Sequence, residues 1–452
     1  MKTCFAVAAA DVLRMGSALA GLCMVLAGCA SFESKPIDPQ VEASKFEAQA
    51  LGPGPWDAPA LQRAAWQRHP EAVAAEARRK VAEAAVITAG GRLNPSLAGV
   101  IQKNVSASPG AEPWTYGLTL EIPLEAAGKR ASREARSQWL ALAAAYIETD
   151  VRWRIQLRTR EAYIGAYPAD ELAAQRLDTL DALALETQKR LEAGLVSSNE
   201  ALQTRLAARQ AALSLEEARR RRGEALRRLA ASIGIPERAI LEIDLSYSDI
   251  SSDSLRDAKT LDALAKSALQ ARPDVLAALA EYEASQAALQ LEIARQYPNV
   301  SIGPGYSWDA GDSKWSLGFA LPLPLLNRNR GPIAEAEAQR EAVAATFRVV
   351  QEQAIAEITG ALAAYRQTIR TLAIAQAAAE DTKALARSAE LAFRAGATDR
   401  LALLAVRLEA ITAESTQNDL MLAAHAAAGR LEYALRMPLP PTSPTASKES
   451  QP

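Results

Sequence analysis

Histidine is almost missing from this chain of 452 residues, with only His69 and His425 present. That scarcity excludes a histidine-built metal centre and a Ser/His catalytic triad. All three cysteines (Cys4, Cys23 and Cys29) fall at the N-terminal end, so the remainder can form neither a disulfide nor a thiolate cluster. Its stability must come from packing. Aromatic residues make up only 5%. The 49% apolar share comes mainly from Ala and Leu, which favour helices and supply few bulky core side chains. Charge of one sign is also lacking: 51 Lys+Arg against 53 Asp+Glu leave a formal net of −2, which excludes a nucleic-acid binder dependent on a strong positive field. No phosphate-cradling G-x-x-x-x-G-K-[ST] loop occurs, and nucleophile, base and cofactor signals are all missing. The sequence therefore calls for no cofactor, no metal site and no enzyme.

What is present begins with a leader. Lys2 and Arg14 precede a short apolar stretch from Ala18 to Ala27, interrupted upstream by Asp11. Such an arrangement reads as a secretory signal over residues 1–28, too short to span a bilayer. It ends Leu26-Ala27-Gly28-Cys29, which resembles a bacterial lipobox with Cys29 as the lipidated first residue. An ordinary signal peptide with an incidental cysteine is the alternative. Ala30 after the cysteine fits outer-membrane sorting of a lipoprotein. Residues 29–57, with Gly52-Pro53-Gly54-Pro55, read as a tether, and 439–452 as a disordered tail.

An internal duplication organises the rest. His69-Pro70-Glu71 reappears as Arg272-Pro273-Asp274, Asn94-Pro95 as Tyr297-Pro298, and Ile122-Pro123-Leu124 as Leu321-Pro322-Leu323. Ala193-Gly194 and Ile235-Pro236 return as Ala395-Gly396 and Met437-Pro438. Offsets between the copies stay between 199 and 203 residues. The first repeat covers 58–236, a connector 237–260, and the second repeat 261–438.

Each repeat reads as helix, two strands and a long helical hairpin. Helices are expected over 58–92 and 261–296, beginning near the cap residues Asp57 and Thr260. Strands are expected at about 97–105, 114–124, 299–308 and 314–323. From Trp114 to Leu124 every even position is large and apolar, while odd positions are small, polar or proline. Trp315, Leu317, Phe319 and Leu321 repeat this on odd numbers, and Val300, Ile302, Tyr306 and Trp308 on even ones. Side chains alternate across a strand, so each has one apolar and one polar or small face. A soluble sheet would bury the apolar face on helices; a membrane barrel would turn it to lipid. Trp114, Tyr116, Trp308 and Trp315 lie near strand ends, where interfacial girdles place aromatics. Four strands cannot close a barrel, whose smallest forms use about eight, and lipid tolerates no open edge. Strands that cross a membrane here must be pooled between chains.

The hairpins run from Gly128 to about Ile233 and from about Ile333 to Leu435. Trp139, Ala143, Tyr146, Asp150, Trp153, Leu157, Arg160 and Ile164 are spaced as a heptad seam, which Leu177, Leu180, Ala184, Thr187 and Leu191 continue beyond a break at Pro168. Limbs of some 60 residues would reach roughly 90 Å, which suits a wall or tube rather than a compact domain. Each hairpin turns at a glycine, Gly194-Leu195-Val196-Ser197 in one and Gly396-Ala397-Thr398-Asp399 in the other. Turn and capping chemistry explains these residues; tips for a docking partner are a second use for them. Arg219 to Arg222 share their helix with Glu216, Glu217 and Glu224 at pairing distance, which reads as a solvated face.

Together the lipobox, the duplication, the Asn94-Pro95 and Tyr297-Pro298 breaks, Ile122 to Arg130, and Leu321 to Gly331 resemble the TolC family of outer membrane factors over about residues 55–438. Gly128-Lys129-Arg130 and Asn327-Arg328-Asn329-Arg330-Gly331 are similar to its CzcC/CusC-like branch, associated with heavy-metal efflux. The resemblance implies a mainly α protein with a transmembrane β portion. It implies a homotrimer whose pooled strands form a 12-stranded barrel, embedded in outer membrane lipid and continuous with a periplasmic α-helical barrel. It further implies a passive duct fed by a periplasmic adaptor and an inner-membrane RND-type pump. Adaptor-docking tips then map onto Gly194, Leu195, Val196, Ser197, Gly396, Ala397 and Thr398. Asp399 becomes a candidate acidic ring at the pore constriction, since acidic rings favour cations; a solvent-facing N-cap carboxylate is its other reading. The same fold could serve drug efflux or type I protein secretion. A different class, a periplasmic coiled-coil adaptor or structural lipoprotein without a channel, would leave the alternating strands without a use.

Overall fold

A computed structural model describes residues 32–106, 113–251, 255, 261–309 and 311–439. The leader with Cys29, Thr260 and the tail beyond 439 lie outside the described residues. The chain divides into two compact units, 1–49 and 50–452. The first contains helix α1 (Pro39–Glu47), capped by Asp38 accepting the Gln40 N–H and with no buried residue.

The second unit starts with β1 (Pro55–Trp56), α2 (Ala58–Arg68), α3 (Pro70–Gly90), β2 (Ser96–Lys103), β3 (Trp114–Leu124), α4 (Lys129–Gly165), α5 (Asp170–Glu192) and α6 (Ser198–Ile233). There follow α7 (Glu237–Leu241), β4 (Asp244–Leu245), α8 (Leu261–Ala271), α9 (Pro273–Ala294), β5 (Val300–Asp309), β6 (Asp312–Ala320), α10 (Arg330–Arg394) and α11 (Arg400–Leu435). Asp57 caps α2 by accepting the Ala60 N–H at 2.8 Å. The stretch read as a plain tether thus carries α1 and β1, and β1 pairs in parallel with β4 from the connector.

The single helices expected over 58–92 and 261–296 are each two helices. Proline forces the residue before it out of the α region, and His69 (φ −62, ψ 127) and Arg272 (φ −64, ψ 127) obey. Pro70 and Pro273 then open α3 and α9, where a missing N–H costs nothing. β6 stops at Ala320, short of the expected 323, where its ladder with β5 ends at the Ser301–Ala320 pair.

Equivalent positions of the two repeats bury equivalent side chains. Ala65 matches Ala268, Ile155 matches Ile358, Leu229 matches Leu431 and Ile233 matches Leu435, all of them buried. The first member of each pair belongs to a core built from α2, α3, α4, α6 and α7, and the second to one built from α8, α10 and α11. On α4, Ala143 and Ile164 of the expected seam are buried, Tyr146, Asp150, Trp153, Leu157 and Arg160 half-buried and Trp139 exposed, while a neighbouring stripe of Val151, Ile155, Thr159 and Ala162 is buried as well. The helix touches α3, α6 and α9 at once, so more than one stripe is covered. Beyond the break, Leu180 and Thr187 are buried as the seam required.

The hairpins differ in one respect. The first limb breaks between Gly165 and Asp170, around Pro168, whereas α10 is a continuous helix of 65 residues, roughly 95 Å long. Tyrosines surround the break: Tyr163 stacks on Tyr247 at 4.9 Å, and the Tyr247 hydroxyl donates to the Ala166 carbonyl at 2.8 Å. Burial pushes the Tyr247 phenol up to about 12.

Charges at the base of the hairpins also separate the copies. Arg272, 1% exposed, donates to Asp274, Glu357 and the Ala434 carbonyl, and Arg436 donates to Asp150 at 2.8 Å. In the first copy His69 takes the place of Arg272, and its Nδ1 accepts the Glu71 N–H at 3.1 Å. Gly234 takes the place of Arg436; both end their helices in the left-handed region. A Cβ on Gly234 (φ +85) would sit 3.1 Å from the Arg68 carbonyl oxygen, from His69 Cα and from Pro70 Cδ. Gly234→Ala therefore combines left-handed strain with backbone crowding, and is expected to lower unfolding free energy by about 2 kcal/mol in denaturant melts followed by helical circular dichroism.

Candidate functional site

The sheet and the two hairpin turns are where chemistry could reach a ligand or partner. The sheet is antiparallel, in the order β2-β3-β5-β6, and combines two strands from each repeat. Its register separates the faces, less regularly on β2, where Ala98 and Val100 lie opposite Thr119 and Gly117 on the small and polar side and Lys103 lies opposite Trp114 on the apolar side. One face carries Leu97 and Ile101 of β2, Trp114 to Leu124 at even positions of β3, Val300, Ile302, Tyr306 and Trp308 of β5, and Trp315, Leu317 and Phe319 of β6. The other carries Thr115, Gly117, Thr119, Glu121, Ser301, Gly303, Gly305, Ser307, Lys314 and Ser316.

Among the described residues nothing covers the apolar face. Trp315 is 83%, Leu317 75% and Phe319 82% exposed, and no helix packs on the sheet among the described residues. The described residues of the single chain do not form a sheet whose apolar face is buried on helices. Aromatics gather toward the end remote from the helices, with Tyr116 5.9 Å from Trp308 and Tyr306 5.1 Å from Trp315. The polar face is kept shallow by glycine: a Cβ on Gly305 would come within 2.7 Å of Ser316 Oγ and 3.1 Å of Thr119 Oγ1. On this face Lys314 pairs with Asp309 at 2.7 Å, and Asp309 also accepts from Thr115.

The turns at Gly194 and Gly396 are built alike. In the first, the Gly194 N–H donates to the Leu191 carbonyl and the Leu195 N–H to the Arg190 carbonyl. In the second, Gly396 donates to Phe393 and Ala397 to Ala392. These paired bonds close a helix with a left-handed residue after the cap, and the glycines supply it at φ +73 and φ +71. Ser197 then caps α6 by accepting the Glu200 N–H, and Asp399 caps α11 by accepting the Ala402 N–H. Leu195 is 73% exposed, and Ala397, Val196 and Thr398 complete the turn surfaces.

One contact escaped sequence reasoning. Arg190 of the first hairpin donates to Asp399 of the second at 3.0 Å, joining the two turns. The partners are 209 positions apart, and no local spacing announces the pair. Arg219, Arg220 and Arg221 behave as a solvated face, paired to Glu216, Glu217 and Glu224, whereas Arg222 is half-buried and pairs with Asp170 of α5 at 3.2 Å. Among the described residues no group of three or more His, Cys, Asp or Glu could hold a metal ion, and no helix is long and apolar enough to cross a membrane.

The Ala402 N–H first, and Arg190 second, hold the Asp399 carboxyl below the usual carboxylate range. A carboxyl lowered by folding contributes stability above its unfolded pKa of about 4, and that contribution is lost as pH falls through the lowered folded value. Spin labels on the two turns should therefore report one separation from about pH 8 to about pH 5, and a wider one only below about pH 4. Widening already near neutral pH would contradict the assignment.

Comparison with known proteins agrees with this geometry. The outer membrane efflux protein family matches residues 61–235 and 264–435, one stretch in each repeat. The cobalt-zinc-cadmium resistance protein CzcC of Cupriavidus metallidurans is 29% identical over 233 residues, which is 50% of this chain and 54% of that protein. The chain thus spans about half the length of the curated relative it matches. The outer membrane protein VceC of Vibrio cholerae superposes with a TM-score of 0.67 at 20% identity, over 84% of this chain and 96% of that one. CusC, described for folding and transmembrane channel formation, superposes with a TM-score of 0.65 at 16% identity, over 86% and 95%. With most of both repeats matched and the fold shared, the chain belongs to the outer membrane efflux protein family.

Proposed function

We propose that this protein is the outer membrane channel of a tripartite efflux system, a passive homotrimeric duct that carries heavy-metal cations outward. The observation that carries this reading is the uncovered two-faced sheet with an open edge on either side. Three copies pooling four strands each would close a barrel, put the apolar face in lipid and line a lumen with Thr, Ser and Gly. The hairpins would extend the duct into the periplasm, with Cys29 as a lipid anchor. A periplasmic adaptor would dock on the turns, and an inner-membrane RND-type pump would supply the energy. The metal cargo is supported by the likeness to a cobalt-zinc-cadmium resistance protein.

Gating follows from the tips. Opening requires the adaptor to bind the open tip more tightly than the closed one, since a ligand shifts two states only by its affinity difference. Asp399 already caps α11 and pairs with Arg190, so separating the two turns breaks that pair. Three copies of Asp399 around the axis would form an acidic constriction that favours cations.

Detergent-purified protein should have three times the chain mass and conduct in a planar bilayer, with Asp399→Ala raising the single-channel current. A monomer without current would end the proposal. Leu118→Arg, at mid-strand on the apolar face, should cost about 2–4 kcal/mol per chain and block assembly in lipid. Thr119→Lys, one residue on and facing the lumen, should assemble and change ion selectivity; the reverse pattern in a heat-stability assay would invert the faces.

A further inference from the structure

At the helix-side end of the sheet, β2 begins, β3 ends, β5 begins and β6 ends, and this end is basic. Arg92 leads into β2, while Arg328 and Arg330 lead from β6 into α10. All three are exposed, and none has an ion pair or side-chain hydrogen bond among the described residues. Their neighbours at this level are committed inward: Arg133 holds Glu125 and the Ala89 and Gly91 carbonyls, and Lys129 is buried against Asn299 at 2.6 Å.

Helix stability does not account for these cations. Helix starts favour anions, yet α4 and α10 have neither a side-chain cap nor an acidic residue in the first turn, alone among the described helices. Apolar side chains continue right up to the charges. Leu323 is 67%, Leu325 74% and Leu326 103% exposed in the bent run after β6, where the Leu325 N–H donates to the Leu323 carbonyl, shortly before Arg328. A chain that exposes leucines and, just beyond them, arginines matches a lipid molecule, whose acyl chain and phosphate follow in the same order. Arginine is the side chain best shaped to grip a phosphate with two hydrogen bonds.

We infer that this collar binds the headgroup phosphates of anionic phospholipids in the leaflet facing the helices, with Arg92, Arg328 and Arg330 as the contacts. The inference rests on the channel reading for placing the sheet in lipid.

The test is native mass spectrometry of the full-length protein in neutral detergent, titrated with phosphatidylglycerol, phosphatidylcholine or inorganic phosphate. Phosphatidylglycerol should be retained about tenfold more strongly than phosphatidylcholine. That ratio should shrink as salt rises, and fall toward one in the Arg92→Gln, Arg328→Gln, Arg330→Gln triple variant. Equal retention of the two lipids by the native protein, or a triple variant that keeps the preference, overturns the inference. Inorganic phosphate erasing the preference at an equal concentration also overturns it, by revealing a small-anion site. Should the variant fail to fold, the salt dependence of the native protein decides alone. Bilayer current in the same preparation separates the two readings: current without lipid preference removes only the collar, and lipid preference without current removes only the channel.

Discussion

Backbone hydrogen bonding along the outer edges of β2 and β6 is the constraint from which the rest follows. The four strands satisfy one another inside the sheet, but the two edges have no partner among the described residues. In hydrocarbon every unpaired N–H or C=O costs several kcal/mol, and in water such edges template unwanted pairing. Either solvent demands more strands. The uncovered apolar face narrows the choice, because a face carrying Trp315, Leu317 and Phe319 in the open is stable only against lipid or another apolar surface. Closure by further copies of the same chain meets both demands at once.

The duplication is what makes such closure economical. Each repeat supplies two strands and one hairpin, so one chain already has the pseudo-symmetry that copies around an axis would extend. Where the copies diverge, they do so at structural joints. The first hairpin limb breaks around Pro168 beneath a tyrosine cluster, and the second runs unbroken. His69 and Gly234 occupy positions that Arg272 and Arg436 fill with a buried charge network in the second copy. The first repeat packs backbone at Gly234 and pairs Arg158 with Glu71 beside His69, whereas Arg272 is buried among ion pairs of the second and Arg436 reaches across to Asp150 of the first. The Arg190–Asp399 contact ties the two copies together at the tips, on the most solvent-exposed part of the hairpins, where water and salt keep such a pair weak.

Much of this architecture was legible before any coordinates. The collinear prolines and glycines marked the repeats, since proline ends helices and glycine turns them whatever the distant context. Strict alternation on Trp114 to Leu124 and Lys314 to Phe319 identified two-faced strands, because side-chain direction in a strand is set by neighbours alone. The capping role of Asp57 was legible for the same local reason. The split at His69-Pro70 and Arg272-Pro273 could have been read from the prolines, but the uninterrupted Ala-rich pattern on both sides hid it. On α4 the expected seam is buried at Ala143 and Ile164, but a second stripe from Val151 to Ala162 is buried beside it, because a helix with neighbours on several sides has no single apolar line.

By itself the sequence determined the repeat, the order of elements, the turn chemistry and the chemical split between the sheet faces, all of which depend on residues within a few positions of one another. Only the tertiary structure decided that the strands of both repeats join one sheet, that no described helix covers its apolar side, and that Arg190 meets Asp399. Those are encounters between segments far apart in the chain. They are fixed by which surfaces remain uncovered after local folding, and no periodicity in the sequence records that.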